Sequence, residues 1–306
     1  NGNDGNFGNY GKYLMSRKSL FYFLLVGFLW GIPYLLMKVA VEEIPPSAIV
    51  AGRTLIGAAI LIPVALYRKT FKGAVLGFKF VAFYALLEMI GPWILISTAQ
   101  KKIDSGLAGL LISTVPIFAA IITSMRGDHT VWQFKRMFGI VVGFIGLIAV
   151  VGIESFSGNS HPASIAMMIL AAMGYSYAII MVTTNLPLVD GIAINGLAMA
   201  ITSIFWAPLA IAQWPSQVTL KPALSLIALG VLCTALAFLV FFKLLVEIGP
   251  ARGSLVTYLN TSVAVVLGVI VLNEPITIGL IIGLPLVLIG SYLASKKTQS
   301  DIVAKP

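Results

Sequence analysis

The feature that most restricts this chain is a succession of nearly unbroken apolar runs, each about 20 residues long, repeated from residue 19 to residue 295. A hydrocarbon layer about 30 Å thick takes that many residues at the helical rise of about 1.5 Å per residue. The runs fall near 19–41, 47–67, 78–100, 105–125, 134–154, 162–184, 191–213, 222–246, 252–272 and 277–295. In lipid the backbone N–H and C=O groups must pair within the protein, which leaves helices or a closed barrel. A barrel would alternate polar and apolar residues, and these runs do not. The predicted fold is therefore an all-α integral membrane protein of ten transmembrane helices. The first run is too long, and too fully followed by others, to be a cleaved signal peptide.

Ahead of the runs, Asn1 to Leu14 is Gly- and Asn-rich without a hydrophobic period, and is read as an appended or disordered tail before Met15. Residues 296–306 form a polar tail at the other end. The net charge of +9 matters through its placement. With a cytoplasmic amino terminus, the inner side collects Lys12, Arg17, Lys18, Arg68, Lys69, Lys72, Lys79, Arg126, Lys135, Arg136, Arg252, Lys296, Lys297 and Lys305, against Lys101, Lys102 and Lys221 outside. This asymmetry of 14 to 3 predicts both termini in the cytoplasm of a multi-pass protein of the inner (plasma) membrane. It also explains the basic charge without nucleic acid as a partner. The expected partners are a small-molecule substrate and the bilayer, with the chain a monomer.

The single cysteine, Cys233, lies within the eighth run, and His129 and His161 lie in loops. These residues predict no disulfide framework, no metal site and no cofactor.

Ten runs divide into two fives. Gly31-Ile32-Pro33-Tyr34 in run 1 is echoed by Gly174-Tyr175-Ser176-Tyr177 in run 6, and Gly139 and Gly146 in run 5 by Gly283 and Gly290 in run 10. Polar turns precede each of those last runs, Arg126-Gly127-Asp128 and Asn273-Glu274-Pro275. An odd number of crossings per half inverts the second half across the membrane, a plan found in secondary transporters with substrate near the midplane. The expected halves are 15–154 (helices 1–5) and 155–295 (helices 6–10).

Trp30-Gly31 with Tyr34, the Pro45-Pro46 loop, Arg53, Pro116 and the two polar turns resemble the drug/metabolite transporter superfamily, in its EamA-like ten-helix branch. Within it the chain most resembles YddG-type exporters of aromatic and other amino acids. The resemblance runs from Met15 to about Ser295, and implies alternating access around a cavity shared by both halves. The family pattern often places an acid and a proline in mid-run 9, where this chain has Asn260-Thr261. No proton carrier is expected there.

An ionisable group at the bilayer centre costs roughly 2.5–3.5 kcal/mol on insertion scales and needs a partner or a wet cavity. Glu88, with Tyr84 one turn before it, either binds an amine or a proton, or pairs with Arg53 or Lys243. Arg53 reads as a structural or gating residue, and Lys38 as an interfacial one that also suits a departing carboxylate. Trp30, Tyr34, Trp93, Tyr175, Tyr177, Phe238 and Tyr258 supply rings for an amphipathic wall. Pro92 and Pro116 interrupt the helical ladder and free carbonyls. Thr257, Asn260 and Thr261 form a polar cluster that suits a zwitterion, or bonds to neighbouring helices.

The function expected is secondary export of small amphipathic metabolites, foremost amino acids including aromatic ones. Nucleosides, sugar phosphates and cationic drugs are the alternatives within the same class. No Walker motif is present to couple ATP. An intramembrane enzyme would need paired acids or a serine–histidine pair, which these runs do not supply, and a channel would need a filter-like sequence. The chain is thus read as a non-enzyme.

Overall fold

The computed structural model describes residues 15–127, 133–156 and 161–295. The expected tails at 1–14 and 296–306, and His129 with part of its turn, lie outside the described residues. Among the described residues the secondary structure is entirely helical. The helices are α1 (Arg17–Ala40), α2 (Pro46–Tyr67), α3 (Phe71–Leu76), α4 (Phe78–Ala85), α5 (Gly91–Ala99), α6 (Ser105–Ile112), α7 (Val115–Met125), α8 (Phe134–Phe156), α9 (Pro162–Asn185), α10 (Gly191–Ala212), α11 (Leu220–Gly230), α12 (Ala237–Gly253), α13 (Val256–Leu272) and α14 (Ile278–Ser295). Short π-segments at Leu86–Ile90 and Val231–Leu236 join α4 to α5 and α11 to α12.

Helix thus occupies each of the ten predicted runs. Among the described residues, seven stretches are long and apolar enough to cross a membrane, and Val256–Leu272 and Ile278–Ala294 are shorter apolar helices.

Three of the runs depart from plain helix, two of them beside the predicted interruptions at Pro92 and Pro116. Run 3 is α4, a π-segment and α5. Run 4 turns at Ser113-Thr114, just before Pro116, whose missing N–H cannot continue the ladder. Run 8 is interrupted by the π-segment Val231–Leu236, and its helix continues past the predicted end to a kink at Gly249, whose φ of 77° suits glycine.

The most extensive helix contacts are α8 with α14 and α2 with α10. Next, α1 packs on α11, α12 and α13, while α9 packs on α4, α5, α6 and α7. Exchanging the first half of the chain for the second leaves these pairings unchanged: α1 trades places with α9, and each partner trades with its counterpart.

The α8–α14 contact depends on glycine. A Cβ added at Gly290 would strike the backbone of Gly143 and Gly139, and one at Gly139 or Gly146 would strike the backbone of α14. Two membrane helices have little hydrophobic drive to associate, so this close approach supplies the dispersion contact instead. Along α1, Gly27 and Gly31 serve the same purpose toward Leu259, Val263 and Asn260 of α13.

Gly290→Ala is therefore expected to destabilise the purified protein by about 1–3 kcal/mol, lowering its thermal unfolding temperature in detergent. Gly73→Ala, whose Cβ would meet Val189 at ordinary contact distance, should leave that temperature unchanged or raise it.

Candidate functional site

The two ends of the bundle differ. On the face where α1 begins, a cavity of about 650 Å³ is lined by Lys18, Tyr22, Arg68, Asp190, Gly191, Phe242, Lys243, Leu245, Val246 and Glu247. Its rim carries two ion pairs, Lys18–Glu247 at 2.6 Å and Arg68–Asp190 at 4.0 Å. Ser19 donates to the same Glu247 carboxylate at 2.6 Å, tying the start of α1 to the end of α12.

The far face is stitched shut. Glu43 accepts from the backbone N–H and the hydroxyl of Thr219, both at 2.7 Å. Glu274 accepts from the N–H and hydroxyl of Ser105 at 2.7 Å and from Gly106 N–H at 3.2 Å. Each carboxylate thereby caps a helix start, where unpaired N–H groups favour negative charge. Ser47 donates to Gln213 at 2.9 Å and Lys38 to the Ile103 carbonyl at 2.7 Å, so Lys38 links α1 to the loop before α6.

Between the ends lies an aromatic column. Phe242, in the cavity wall, stacks on Phe238 with centroids 6.1 Å apart, and Phe238 meets Trp30 edge-on at 5.6 Å. Below them Arg53 is 7% exposed. Its guanidinium lies 3.9 Å over the Trp93 ring, and its Nε donates to Thr234 Oγ1 at 2.6 Å. Thr234 is placed for this by the second π-segment, where it also donates to the Leu229 carbonyl five residues back at 2.7 Å. No carboxylate pairs with Arg53 among the described residues, nor do its Nη groups make a hydrogen bond to protein there. Tyr34, Tyr175 and Cys233 lie within electrostatic reach of its charge.

Glu88 sits in the first π-segment. Its Oε2 is buried and has no hydrogen-bond partner among the described residues, and it pairs with neither Arg53 nor Lys243. In a π-turn the N–H of Gly91 bonds to the Leu86 carbonyl, five residues back rather than four. The wide turn takes up one extra residue, so Tyr84, Glu88 and Trp93 come to one face of the helix. Tyr84 donates to Asn195 Oδ1 at 3.1 Å, and Asn195 donates to the Gly191 carbonyl at 2.8 Å. Gly174 of α9 packs on the Leu87 carbonyl and Pro92, which sets Tyr175 beside the turn, in reach of the charges of both Glu88 and Arg53.

Trp30, Tyr34, Arg53, Tyr84, Glu88, Trp93, Tyr175 and Phe238 are thus gathered at the centre, with Pro92 shaping the backbone beneath. The other expected residues lie elsewhere. Tyr177 packs between Phe83 and Arg126, whose guanidinium is 4.7 Å from its ring. Tyr258 meets Tyr292 of α14 at 6.2 Å. Asn260 Oδ1 accepts from Thr261 at 3.3 Å, and Thr261 bonds back to the Thr257 carbonyl at 2.9 Å, a cluster along α13. At the Pro116 break, the Ser113 and Val115 carbonyls accept from Ser291 and Ser176, each at 2.8 Å. Thr234 and Asn195 were not singled out from sequence. Their signal was a lone polar side chain in an apolar helix, a pattern shared by many residues that only bond their own backbone.

Comparison with known proteins accords with this architecture. The sequence profile of the EamA-like transporter family matches the chain twice, over 17–152 and 162–296. The chain belongs to the EamA-like transporter family. It is similar to the uncharacterized transporter YoaV of Bacillus subtilis, 26% identical over 88% of this chain and 93% of that protein. It is also similar to the uncharacterized inner membrane transporter YedA of Escherichia coli K12, 24% identical over 88% of this chain and 90% of that one. A solved crystal structure shares the fold, with TM-score 0.65 at 18% identity over 92% of this chain and 97% of that chain. The protein is a multi-pass membrane protein of a transporter family.

Two outcomes are expected of this arrangement. Thr234→Val leaves the Arg53 Nε buried without an acceptor, a loss of about 1–3 kcal/mol, measurable as a lowered unfolding temperature against wild type. The two Thr219 donors hold the Glu43 carboxyl below its ordinary value of 4.5. A depressed folded-state value gives stability that is present above that ordinary value and lost as pH falls through the folded one. The difference in melting temperature between wild type and Glu43→Gln should therefore be full at pH 7 and shrink below pH about 4.

Proposed function

We propose that this protein is a secondary exporter of small amphipathic metabolites, foremost amino acids including aromatic ones, working by alternating access. The observation that carries the reading is Arg53, a buried arginine without an acid partner among the described residues, lying over the Trp93 ring and within electrostatic reach of Tyr34 and Tyr175. A vestibule opens on the face where α1 begins, and hydrogen bonds join the helices on the other. A buried cation of this kind needs a wet cavity or an anionic group to offset its desolvation. The rings beside it offer apolar surface that also tolerates polar edges.

The exchange-symmetric helix pairing and the tandem family match support a fold of ten crossings in two inverted halves, 15–154 and 155–295. In that arrangement the amino-terminal face, with Lys18, Arg68 and Lys243, is cytoplasmic by the charge rule. The vestibule then opens inward, the state from which an exporter loads. The inner membrane is the location suggested by the YedA likeness, and the monomer is the transporting unit. The YddG-type resemblance supplies the direction and the amino-acid class.

A cationic drug is the second reading, favoured by Glu88 with its unpartnered oxygen. Arg53 stands against it, since a second cation at the same chamber is repelled.

The test is flux of radiolabelled phenylalanine, threonine and methionine in proteoliposomes, with and without a pH gradient. Phenylalanine flux is expected, and Phe238→Ala should lower it by roughly tenfold, equivalent to about 1.4 kcal/mol of lost contact. No amino-acid flux, alongside movement of another solute class, overturns the substrate assignment.

A further inference from the structure

We infer that the vestibule is the entry site for an organic anion, an apolar group bearing a carboxylate, with Lys243 and Arg68 supplying the positive charge and Phe242 the apolar wall; this deepens the exporter reading above. The cavity of about 650 Å³ falls within the range of about 300–1,000 Å³ that holds a small molecule. Its acids are already in use. Both oxygens of Glu247 are taken, Oε1 by Lys18 and Oε2 by the Ser19 hydroxyl, each at 2.6 Å. Asp190 Oδ1 accepts from the N–H groups of Ile192 and Ala193 at 2.7 and 3.3 Å, capping the start of α10.

The cations are engaged to different degrees. Lys18 is held by Glu247 and lies over the Tyr22 ring at 5.5 Å. Arg68 Nη1 stands 4.0 Å from Asp190 Oδ2, too far for a hydrogen bond, which leaves the guanidinium donors open to a planar carboxylate. Lys243 lines the same cavity and has neither an acid nor a hydrogen-bond partner among the described residues. The charge left over in the cavity is therefore positive, and a cleft of one sign gathers ions of the other. Phe242 decides the rest of the ligand. A Cβ at Gly191 would strike its ring, so the glycine lets Phe242 lie against the start of α10, stacked on Phe238 6.1 Å away. An apolar group resting on Phe242 meets the first ring of the aromatic column while its carboxylate stays with the cations. An amine in the same place meets two cations without a neutralising bond.

Binding of radiolabelled 3-phenylpropanoate, L-phenylalanine and 2-phenylethylamine is measured on the full chain in detergent, with thermal melts to confirm folding. The proteins compared are wild type, Lys243→Gln, Lys243→Arg and the double variant Lys243→Gln/Arg68→Gln. Wild type should bind 3-phenylpropanoate at least about tenfold more tightly than the amine, with phenylalanine between them. Because these cations are exposed, Lys243→Gln should weaken the carboxylates by about threefold to fivefold and the double variant by about tenfold. Lys243→Arg keeps the charge and should stay within about twofold of wild type. Raising NaCl from about 0.05 to about 0.5 M should weaken binding to wild type but hardly to the double variant, a screening that the buried Arg53 would escape. If the double variant does not fold, the two Lys243 variants decide. Carboxylate binding that is equal in every variant overturns the site, while phenylalanine flux in proteoliposomes would still uphold the exporter reading. Charge-dependent binding without flux upholds the site and overturns the exporter reading. Phosphatidylglycerol that raises the melting temperature of wild type but not of the double variant, with no carboxylate bound, assigns the cations to lipid headgroups and overturns the site.

Discussion

Inside hydrocarbon no water is at hand to pair a freed carbonyl, so each place where a helix of this protein departs from the α ladder has to bring its own donor. The breaks comply. The Ile90 carbonyl at the end of the first π-segment accepts from Trp206 Nε1 at 3.2 Å, and the Leu229 carbonyl before the second accepts from Thr234. At the turn between α6 and α7, Ser291 and Ser176 reach in from α14 and α9. Gln100 reaches across from the end of α5 to the Tyr34 carbonyl at 2.8 Å. Each of these donors comes from another helix or from the widened turn itself, so the irregular backbone also fastens the surrounding helices together.

Against that background of satisfied groups, the centre stands out by what it withholds. The protein supplies donors to carbonyls at its helix breaks, yet leaves the Arg53 fork, Glu88 Oε2 and Gln100 Oε1 without a partner among the described residues. Stability alone would favour pairing them or replacing them with apolar residues of like volume. A bundle that leaves them open carries a standing cost. The vestibule, with its mixed rim of Lys18, Arg68, Lys243, Asp190 and Glu247, presents both signs of charge before the aromatic column is reached.

Much of this was legible in the residues. Runs of about 20 apolar residues dictate helices, and a lone Glu88 or Arg53 within such a run announces itself by its desolvation cost. What the sequence did not show was helix phase. Tyr258 and Tyr177 have the composition of cavity residues, but rotation about the helix axis is set by glycine contacts such as Gly27 and Gly31 on α13, which turn Trp30 toward α12 instead. The width of the turn was hidden as well: Pro92 marked an interruption in run 3, but Leu86-Leu87-Glu88-Met89-Ile90 has good helix formers throughout, so nothing distinguished a π-turn from an ordinary kink. Thr234 and Asn195 escaped notice for the related reason that their partners lie 181 and 111 residues away.

The wide turn at Leu86–Ile90 has a consequence for how this family of chains can change length. A π-turn is an α-helix that has absorbed one inserted residue, and losing that residue would restore an unbroken helix at no cost in backbone pairing. Such a deletion would leave the stretch Phe78–Ala99 long and apolar enough to insert. It would also rotate everything beyond it by about 100° and draw it back by about 1.5 Å, carrying Trp93 away from the side of Glu88. Length variation here is thus a route by which a descendant could keep a membrane-spanning helix and re-aim the side chains beyond the turn in a single step.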